Sequence, residues 1–458
     1  MIQQVLNRDF VLSCMAQVAG YIEQSTKVGE RRGEETDLSQ LSAIERTEIL
    51  EALRDAQRSE SVDSSGQKSY DAGAQRRGES LPAMDDVSFF SRSPVVSNIQ
   101  SAIEAHVDKV QSGRVIEESR RRGGDGNDLP TTNRRLVGPF EPGDIRWISA
   151  LAAMGISLFR HKIPFPDRPI EEAPLRIKKN ARLILVGDWG TGLPRAQNIS
   201  NEIGKILKAG AKDGLEQHVI HLGDVYYSGW KREYQKHFLQ WWPVDDQSFQ
   251  QIRSWTLNGN HDMYSGGHDY FGVALADPRF NRWQQGKSYF AMENENWRVF
   301  GLDSAYEDFD LYDRQHDWVK RHVSSAGNQK LLFLTHHQPF SAYEPGNHPL
   351  EGTVSRLLAG REITAWFWGH EHRCVLYHAN AGTKFGRCIG HGGVPVYMLH
   401  GAGDKVPEPG VYEFRERFGP GVEPWARFGF AVLDFAAEAI ETRYIDETGE
   451  VYRTETIA

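Results

Sequence analysis

Between residues 187 and 372 the sequence carries five short clusters of Asp, Asn and His, and each cluster directly follows an apolar run. Carboxylate oxygens, amide oxygens and imidazole nitrogens are protein ligands of zinc, iron and manganese. Carboxylates gathered in one pocket are strongly unfavourable unless a cation neutralises them. If the clusters converge, their donors are too many for one ion and suit two ions that share a carboxylate. The clusters are GDWG with Asp188, GDVYY with Asp224 and Tyr227, GNHD with Asn260, His261 and Asp262, THH with His336 and His337, and GHEH with His370 and His372.

The apolar run before each cluster has the length and composition of a buried strand. In open α/β sheets, ligands bind beyond the carboxyl ends of the strands, so the five clusters are expected to meet at one edge. A helix is predicted over 194–210, a hairpin across 294–296, and further strands towards the C-terminus with a turn at 446–449. Strands that alternate with helices and end in hairpins indicate an α/β protein, with a sandwich of two mixed sheets. The predicted strands are 181–186, 217–222, 255–257, 331–335 and 365–368.

The first 135 residues have a different character. Residues 26–95 are poor in large apolar side chains and rich in Arg, Glu, Ser, Gln and Gly, a composition that favours flexibility. Helical spacing of apolar residues appears within 1–25, over 41–56 and over 100–117. We therefore predict a helical, partly flexible extension over 1–135 and one domain over 136–458.

Composition narrows the class of protein. The chain has 53 Lys and Arg against 62 Asp and Glu, a formal charge of -9, which argues against nucleic acid as the main partner. No apolar run approaches the roughly 18 residues of a membrane-spanning helix, and the N-terminus does not have the pattern of a signal peptide. Three cysteines do not make a disulfide framework, so we expect a cytoplasmic protein. The oligomeric state is left open.

The clusters in this order resemble the motifs of the calcineurin-like metallophosphoesterases, over roughly residues 135–458. Gly190 stands where most of that superfamily has a metal-binding His, and a Tyr follows Asp224 at the third position; both features are similar to the purple acid phosphatase pattern. The resemblance implies a four-layer α/β/β/α sandwich. It also implies two metal sites that share Asp224 as a bridge. The implied ligands are Asp188, Asp224, Tyr227 and His372 for one metal, and Asn260, His336 and His370 for the second.

The resemblance also implies the metals and the reaction. Ferric iron is expected at the tyrosine site, with zinc, manganese or ferrous iron at the other. A hydroxide bridging the metals would attack phosphorus in line, and His261 would assist the leaving oxygen. The expected substrate is a small-molecule phosphate ester, so the protein is predicted to be a phosphatase or phosphodiesterase.

Several assignments stay open at the level of the sequence. Tyr226 adjoins Tyr227, and His337 is the alternative to His336 as the strand-end ligand. Asp262 is predicted either to orient His261 or to serve as a turn residue. His268 and Arg373 are candidate substrate contacts, with loop packing as the alternative. Metal-binding side chains are usually oriented by hydrogen bonds to a second set of side chains, and the candidates for that role here are His221, Asp303 and Glu371.

Two other functions are possible alternatives from the sequence. One is a regulatory protein whose N-terminal extension recruits partners. The other is a metal-dependent nuclease, against which the acidic charge balance weighs. The complete ligand set favours an enzyme over an inactive scaffold.

Overall fold

The structure is a computed structural model of the chain. It describes scattered helical positions between 11 and 54, residues 90–104 and 162–169, and most of 171–458 except 246–247, 249, 345, 347, 399, 402 and 419–424. The chain divides into two compact units, 1–160 and 161–458. The predicted boundary at 135/136 lies within 105–161, outside the described residues, and stays a prediction.

In the first unit the described helical positions are 11, 12, 15, 16, 19, 47, 50–54 and 94–104. Val11, Met15 and Ala19 are buried at a spacing of four residues, as the amphipathic pattern of 1–25 predicts. The stretch 94–104 is helical from Pro94, earlier than the predicted start at residue 100. Proline suits the first turn of a helix because its missing N–H has no partner there.

The second unit contains fourteen named strands. In chain order they are β1 (Leu175–Arg176), β2 (Arg182–Val186), β3 (Gln217–His221), β4 (Ile252–Thr256), β5 (Phe290–Glu293), β6 (Trp297–Gly301), β7 (Lys330–Thr335), β8 (Ile363–Trp368), β9 (Cys374–Tyr377), β10 (Thr383–Ile389), β11 (Gly410–Glu413), β12 (Gly429–Ala436), β13 (Ala439–Asp446) and β14 (Val451–Ile457). They form a six-stranded sheet, β14-β13-β12-β2-β3-β4, and an eight-stranded sheet, β1-β5-β6-β7-β8-β10-β9-β11. Each sheet combines parallel and antiparallel pairs. The predicted hairpin is confirmed, since Glu293 of β5 pairs with Arg298 of β6.

Four longer helices accompany the sheets: α1 (Pro194–Lys212), α2 (Pro278–Gln284), α3 (Asp313–Ser325) and α4 (Pro349–Leu358). Shorter helical segments are Lys231–Glu233, Tyr234–Leu239, Asn260–Met263 and Tyr270–Ala274. The predicted helix over 194–210 is confirmed by α1, which begins at Pro194. Among the described residues, no helix is both long and apolar enough to span a lipid bilayer.

Side chains of the central strands alternate between two apolar cores. Leu183 and Leu185 of β2 pack in the same core as Leu332 of β7, so this core lies between the sheets. The intervening Ile184 packs with Ile199 of α1 on the outer face. Parallel strands covered on both faces need apolar residues at every position, which explains the continuous runs in the sequence. The predicted four-layer α/β/β/α sandwich of two mixed sheets is confirmed.

The register of the parallel strands brings their carboxyl ends together. Val186 at the end of β2 pairs with His221 at the end of β3, which pairs with Thr256 at the end of β4. In the other sheet, Thr335 at the end of β7 pairs with Trp368 at the end of β8. The residues that follow these five strand ends are the polar clusters found in the sequence.

Candidate metal centre

Three candidate ligands have an unusual backbone conformation. Asp188, Asp224 and His370 have φ values of 54°, 76° and 66°, in the left-handed region that side-chain-bearing residues rarely adopt. Such conformations cost of order 1–3 kcal/mol each, persist where the surroundings enforce them and cluster at functional sites. Each of the three turns sharply after its strand.

Glycines let these turns approach one another. A Cβ atom on Gly369 would lie 2.6 Å from Oδ2 of Asp188, and one on Gly223 would lie 2.7 Å from Nδ1 of His336. Both distances are well inside van der Waals contact, so a side chain at either position would displace a candidate ligand. Gly223 and Gly369, which precede the candidate ligands Asp224 and His370, are thus required by close packing of the loops.

The first group of donors, here called the carboxylate cluster, comprises Asp188, Asp224, Tyr226 and His372. The Tyr226 hydroxyl lies 3.2 Å from Oδ1 of Asp188, 3.0 Å from Oδ2 of Asp224 and 3.0 Å from Nε2 of His372. Nε2 of His372 is 3.6 Å from Oδ1 of Asp188. Asp188 and Asp224 are buried, and only His372 is partly exposed.

The structure differs from the sequence prediction at the tyrosine. The hydroxyl in this cluster belongs to Tyr226, whereas Tyr227 was the predicted ligand. A short parallel bridge between Gly190 and Val225, with the Tyr226 N–H donating to the Gly190 carbonyl, extends the β2–β3 pairing and sets Tyr226 beside the Asp188 loop. Tyr227 is half-buried, and its carbonyl accepts a hydrogen bond from His261.

The second group, here called the imidazole cluster, comprises Asn260, His336 and His370. Oδ1 of Asn260 lies 3.0 Å from Nε2 of His336 and 3.0 Å from Nδ1 of His370, and the two nitrogens are 3.3 Å apart. Nε2 of His336 is also 3.5 Å from Oδ1 of Asp224. The two clusters therefore adjoin through Asp224.

The donors of the imidazole cluster face one another with the polarity that a cation requires. Nδ1 of His336 lies 2.9 Å from the Leu222 carbonyl, which can only accept, so the neutral ring keeps a lone pair on Nε2. The Asn260 side-chain amide donates to the Tyr264 hydroxyl at 2.6 Å, which directs its oxygen towards the histidines. An oxygen and a nitrogen lone pair 3.0 Å apart repel unless a proton or a metal cation lies between them, and imidazole with amide oxygen suits a transition metal.

His337 lies beside this cluster but is oriented differently from His336. Its Nδ1 lies 2.7 Å from the Ser304 carbonyl and 3.2 Å from the Ser304 hydroxyl. A nitrogen of His337 also falls within 4.8 Å of nitrogens of His336 and His370. Nε2 of His336 lies 3.0 Å from Oδ1 of Asn260 and 3.5 Å from Oδ1 of Asp224, which favours His336 as the candidate ligand.

Asp262 does not follow the prediction that it orients His261. Its carboxylate accepts hydrogen bonds from the backbone N–H groups of Asp224 (2.9 Å) and Gly259 (2.7 Å) and from the Tyr234 hydroxyl. It therefore holds the loops after β3 and β4 together. Burial raises the pKa of Asp262 to about 7, and the negative charge of Asp224 adds to this effect.

His261 is held by backbone groups and by Asp224. The backbone N–H of His261 donates to Oδ1 of Asp224 at 3.0 Å, and the ring Nδ1 lies 2.6 Å from the Tyr227 carbonyl. Its Nε2 is 4.0 Å from Oδ2 of Asp224. Burial alone would raise the pKa of Asp224, but the imidazoles of His336 and His261 hold it well below its ordinary value.

The remaining predicted residues lie around the centre. Arg373 pairs with Glu413 rather than with a ligand residue, and His268 is half-buried before the Tyr270–Ala274 segment. His221 is buried beside Thr256, and Asp303 caps a turn by accepting the N–H groups of Ala305 and Tyr306.

Glu371 lies between the candidate ligands His370 and His372 and is nearly fully buried. It accepts a hydrogen bond from the Ser341 hydroxyl at 2.6 Å. Burial, with a contribution from the charge of Glu344, raises the pKa of Glu371 to about 7.

Two residues at the centre were missed by sequence reasoning. Tyr264 orients the amide of Asn260, and the four-residue spacing on one helical turn was an available signal. Phe309 has a left-handed φ of 60°, and its ring centroid lies 4.1 Å from that of His337 and 5.0 Å from that of His370. Nothing in the sequence around Phe309 distinguishes it from an ordinary loop residue.

Residues 181–374, which contain every ligand candidate, match the family model of the calcineurin-like phosphoesterases. This stretch is a calcineurin-like phosphoesterase domain, and the protein is a metal-dependent phosphoesterase.

The chain is also similar to an acid phosphatase. Over 306 residues the chain is 26% identical to tartrate-resistant acid phosphatase type 5 of Oryctolagus cuniculus, across 59% of this chain and 88% of that protein. Among solved structures, GAP50, the anchor in the inner membrane complex of Plasmodium, aligns with a TM-score of 0.44 at 14% identity, over 61% of this chain and 89% of that one. A metallophosphoesterase from Sphaerobacter thermophilus aligns with a TM-score of 0.24 at 13% identity, over 58% and 88%.

Proposed function

We propose that the protein hydrolyses phosphate esters with two transition-metal ions, one held by each cluster. One observation supports this most strongly: the two carboxylate oxygens of Asp224 point to different clusters. Oδ2 lies 3.0 Å from the Tyr226 hydroxyl, and Oδ1 lies 3.5 Å from Nε2 of His336. A carboxylate in that position is suited to bridge two ions.

The donor sets suggest which ions bind. The carboxylate cluster offers two carboxylates, one phenol and one imidazole, a largely anionic set that suits ferric iron. The imidazole cluster offers neutral donors, which suit zinc, manganese or ferrous iron. When bound, the two ions would supply Lewis acidity towards phosphate oxygens and towards a water nucleophile.

His261 is proposed as the general acid. With its Nδ1–H donated to the Tyr227 carbonyl, Nε2 is the nitrogen left to carry a proton to the leaving oxygen. The carboxylate of Asp224, 4.0 Å from Nε2, stabilises the protonated ring. Asp262 supports the reaction by fixing the loops that carry Asp224 and Asn260.

The substrate is proposed to be a small-molecule phosphate ester. The formal charge of -9 makes a nucleic acid unfavourable as the main substrate. Activity against a panel of nucleotides, phosphosugars, phosphoproteins and cyclic diesters would separate monoester from diester preference.

Metal analysis of the purified full-length protein tests the two-ion proposal. We expect about two transition-metal ions per chain, loss of aryl phosphate hydrolysis on chelation, and recovery when metal is restored. Full hydrolysis in excess chelator by protein without bound metal would contradict the proposal.

We also propose residues 136–458 as the catalytic domain and the cytoplasm as the compartment. All ligand candidates lie within 188–372, in the second unit.

Cys374 and Cys388 are buried free thiols, as expected in a reducing compartment, while Cys14 lies outside the described residues. Deletion of residues 1–135 should leave aryl phosphate hydrolysis intact, and loss of activity with retained folding would count against the boundary. Cell fractionation tests the compartment.

A further inference from the structure

A second group of polar side chains surrounds Glu413 of β11. This Glu413 cluster comprises Tyr343, Arg373, His400, Glu413 and Arg415. Oε2 of Glu413 accepts from the Tyr343 hydroxyl (2.6 Å) and Nε of Arg415 (2.8 Å), and it lies 2.9 Å from Nδ1 of His400. Oε1 lies 3.4 Å from Nη1 of Arg373. One buried carboxylate thus organises two guanidinium groups, an imidazole and a phenol.

The Glu413 cluster is attached to the loop that carries two candidate ligands. Arg373 directly follows His372. The Ser341 hydroxyl donates to Glu371, between His370 and His372, and accepts the N–H of Tyr343 at 2.9 Å. The position of Tyr343 is therefore fixed relative to the metal centre.

Within this cluster Arg373 has donors to spare. Its guanidinium lies 4.1 Å from the ring centroid of Tyr343, and its one side-chain hydrogen bond to the described residues is the long contact with Glu413. Its side chain is 31% exposed, compared with 11% for Arg415. A guanidinium carries five N–H donors, so most of those of Arg373 are open to a ligand.

The charges of the cluster leave a positive excess. Burial would raise the pKa of Glu413, but hydrogen bonds from His400, Tyr343 and Arg415 lower it to about 2, so the carboxylate is ionised at neutral pH. Within the cluster, one carboxylate offsets only one of the two guanidinium groups, while the carboxyl of Glu371 outside the cluster also interacts with Arg373. Stacking on Tyr343 and pairing with Glu413 hold Arg373 in place, which reduces the entropy lost when it binds an anion.

We propose that Arg373, held by the Glu413 cluster, binds a second anionic group of the substrate, a phosphate or carboxylate borne by the leaving group. This inference rests on the proposed function, because it assigns the substrate class of the same site. It predicts that the preferred substrates are phosphate esters with at least two anionic groups.

Two pairs of synthetic substrates test this inference on the metal-loaded full-length protein. The first pair is 3-carboxyphenyl phosphate and its methyl ester. The second is 1,3-phenylene bisphosphate and phenyl phosphate. We expect kcat/KM for the doubly anionic member to exceed that of its partner by roughly 10-fold in at least one pair. The pair with the larger ratio tells whether a carboxylate or a phosphate is recognised.

Variants then assign the preference to Arg373. Arg373→Met should bring the ratio close to one in the carboxylate pair and close to the statistical value of about two in the bisphosphate pair, and Arg373→Lys, which keeps the charge without the planar fork, should give an intermediate ratio. Arg427→Met is the matched control: Arg427 is 27% exposed and pairs with the buried Asp446 at 2.8 Å. It should keep the wild-type ratio.

The inference is overturned if the wild-type ratios are near one in the carboxylate pair and near the statistical value of about two in the bisphosphate pair, or if Arg427→Met lowers the ratio as much as Arg373→Met does. Retention of the full ratio by both Arg373 variants would also overturn it. Absence of hydrolysis of all four compounds by the metal-loaded wild type would count instead against the proposed function. The two failures are thus distinguishable.

Discussion

The metal centre and the Glu413 cluster are both dense groups of buried polar side chains. They differ in how completely their hydrogen-bond acceptors are matched by donors. In the Glu413 cluster each oxygen of the carboxylate faces a donor, from Tyr343, Arg415 or Arg373. In the metal centre, Oδ1 of Asp188 and Oδ2 of Asp224 share the single phenol proton of Tyr226, and Oδ1 of Asn260 faces a ring nitrogen of His336 that carries a lone pair when the ring is neutral.

This difference separates a ligand site from a structural support. Polar density alone does not mark a site, because buried hydrogen-bonded networks also specify and rigidify folds. Acceptors that face one another identify a place where a proton or a metal cation is needed. Among the described residues, the carboxylate of the Glu413 cluster is already matched by donors, and the spare hydrogen-bonding capacity of the cluster lies in donors of Arg373 and in Nη2 of Arg415.

Replacement of Asp224 gives the largest expected effect, because its two carboxylate oxygens face the two donor clusters. Asp224→Asn should lower kcat/KM by at least about 10³-fold, roughly 4 kcal/mol of transition-state stabilisation, and should reduce bound metal. Metal analysis and steady-state kinetics on the same preparation would measure both. Asp434→Asn is the control, since Asp434 pairs with Arg182 and Arg443 on the six-stranded sheet and should keep metal and activity. Unchanged metal content in Asp224→Asn would remove the basis of the two-ion proposal.

Substitution of His261 tests whether the metal centre also contains a general acid. His261→Asn should lower kcat by about 10²-fold for alkyl phosphates, because a general acid contributes most when the leaving oxygen is basic. For a nitrophenyl ester the loss should be much smaller. The measurement is kcat across a series of leaving groups, with bound metal determined in parallel. Equal losses across the series would argue that His261 positions other groups.

The two adjacent tyrosines test where the structure departs from the sequence pattern. Tyr226→Phe should abolish the visible charge-transfer band of a ferric phenolate and reduce kcat by about 10-fold. Tyr227→Phe should keep the band. Absorbance spectra of the two iron-loaded variants give the answer. Loss of the band only in Tyr227→Phe would restore the prediction made from the GDVYY motif.

Glu413 should affect stability more than metal binding. Its pKa in the folded protein is about 2, below the ordinary value of 4.5, so its ion pairs stabilise the fold above about pH 5 and lose that contribution as the pH falls from 4.5 towards 2. With allowance for solvent screening, Glu413→Gln should lower the free energy of unfolding by about 1–2 kcal/mol at pH 7 and by less at pH 3. Urea denaturation at both pH values would measure this.

The control for this stability effect is Glu295→Gln, at an exposed position of the β5–β6 hairpin, which should change the free energy of unfolding by less than about 0.5 kcal/mol. Bound metal should be unchanged in Glu413→Gln. A Glu413 variant that loses metal would show that the two clusters are not independent.

Much of this arrangement could be predicted from sequence, because strand ends obey a simple rule. Runs such as 181–186 and 331–335 have to be strands covered on both faces, and parallel strands bring Asp188 and His336 to one edge. The identity of the tyrosine could not be predicted. Whether Tyr226 or Tyr227 faces Asp188 depends on the Gly190–Val225 bridge, which joins segments about 35 residues apart.

Roles that depend on contacts distant in sequence escaped prediction for the same reason. Asp262 is near His261 in sequence, but its hydrogen bonds go to the N–H groups of Asp224 and Gly259 and to Tyr234. Glu413 lies beyond every motif, and three of its four partners, Tyr343, Arg373 and His400, come from three separate loops. Composition and periodicity report which face of a strand is buried and carry no information on such pairings.

The left-handed backbone of Asp188, Asp224 and His370 has a consequence for protein engineering. Glycine adopts this conformation without the steric penalty of about 1–2 kcal/mol that other residues incur. A library selected for heat resistance alone, in the presence of chelator, should therefore enrich glycine at these three positions. The selected variants would be more thermostable than the parent protein but catalytically inactive. Thermal screening of this protein therefore has to be combined with an assay of turnover.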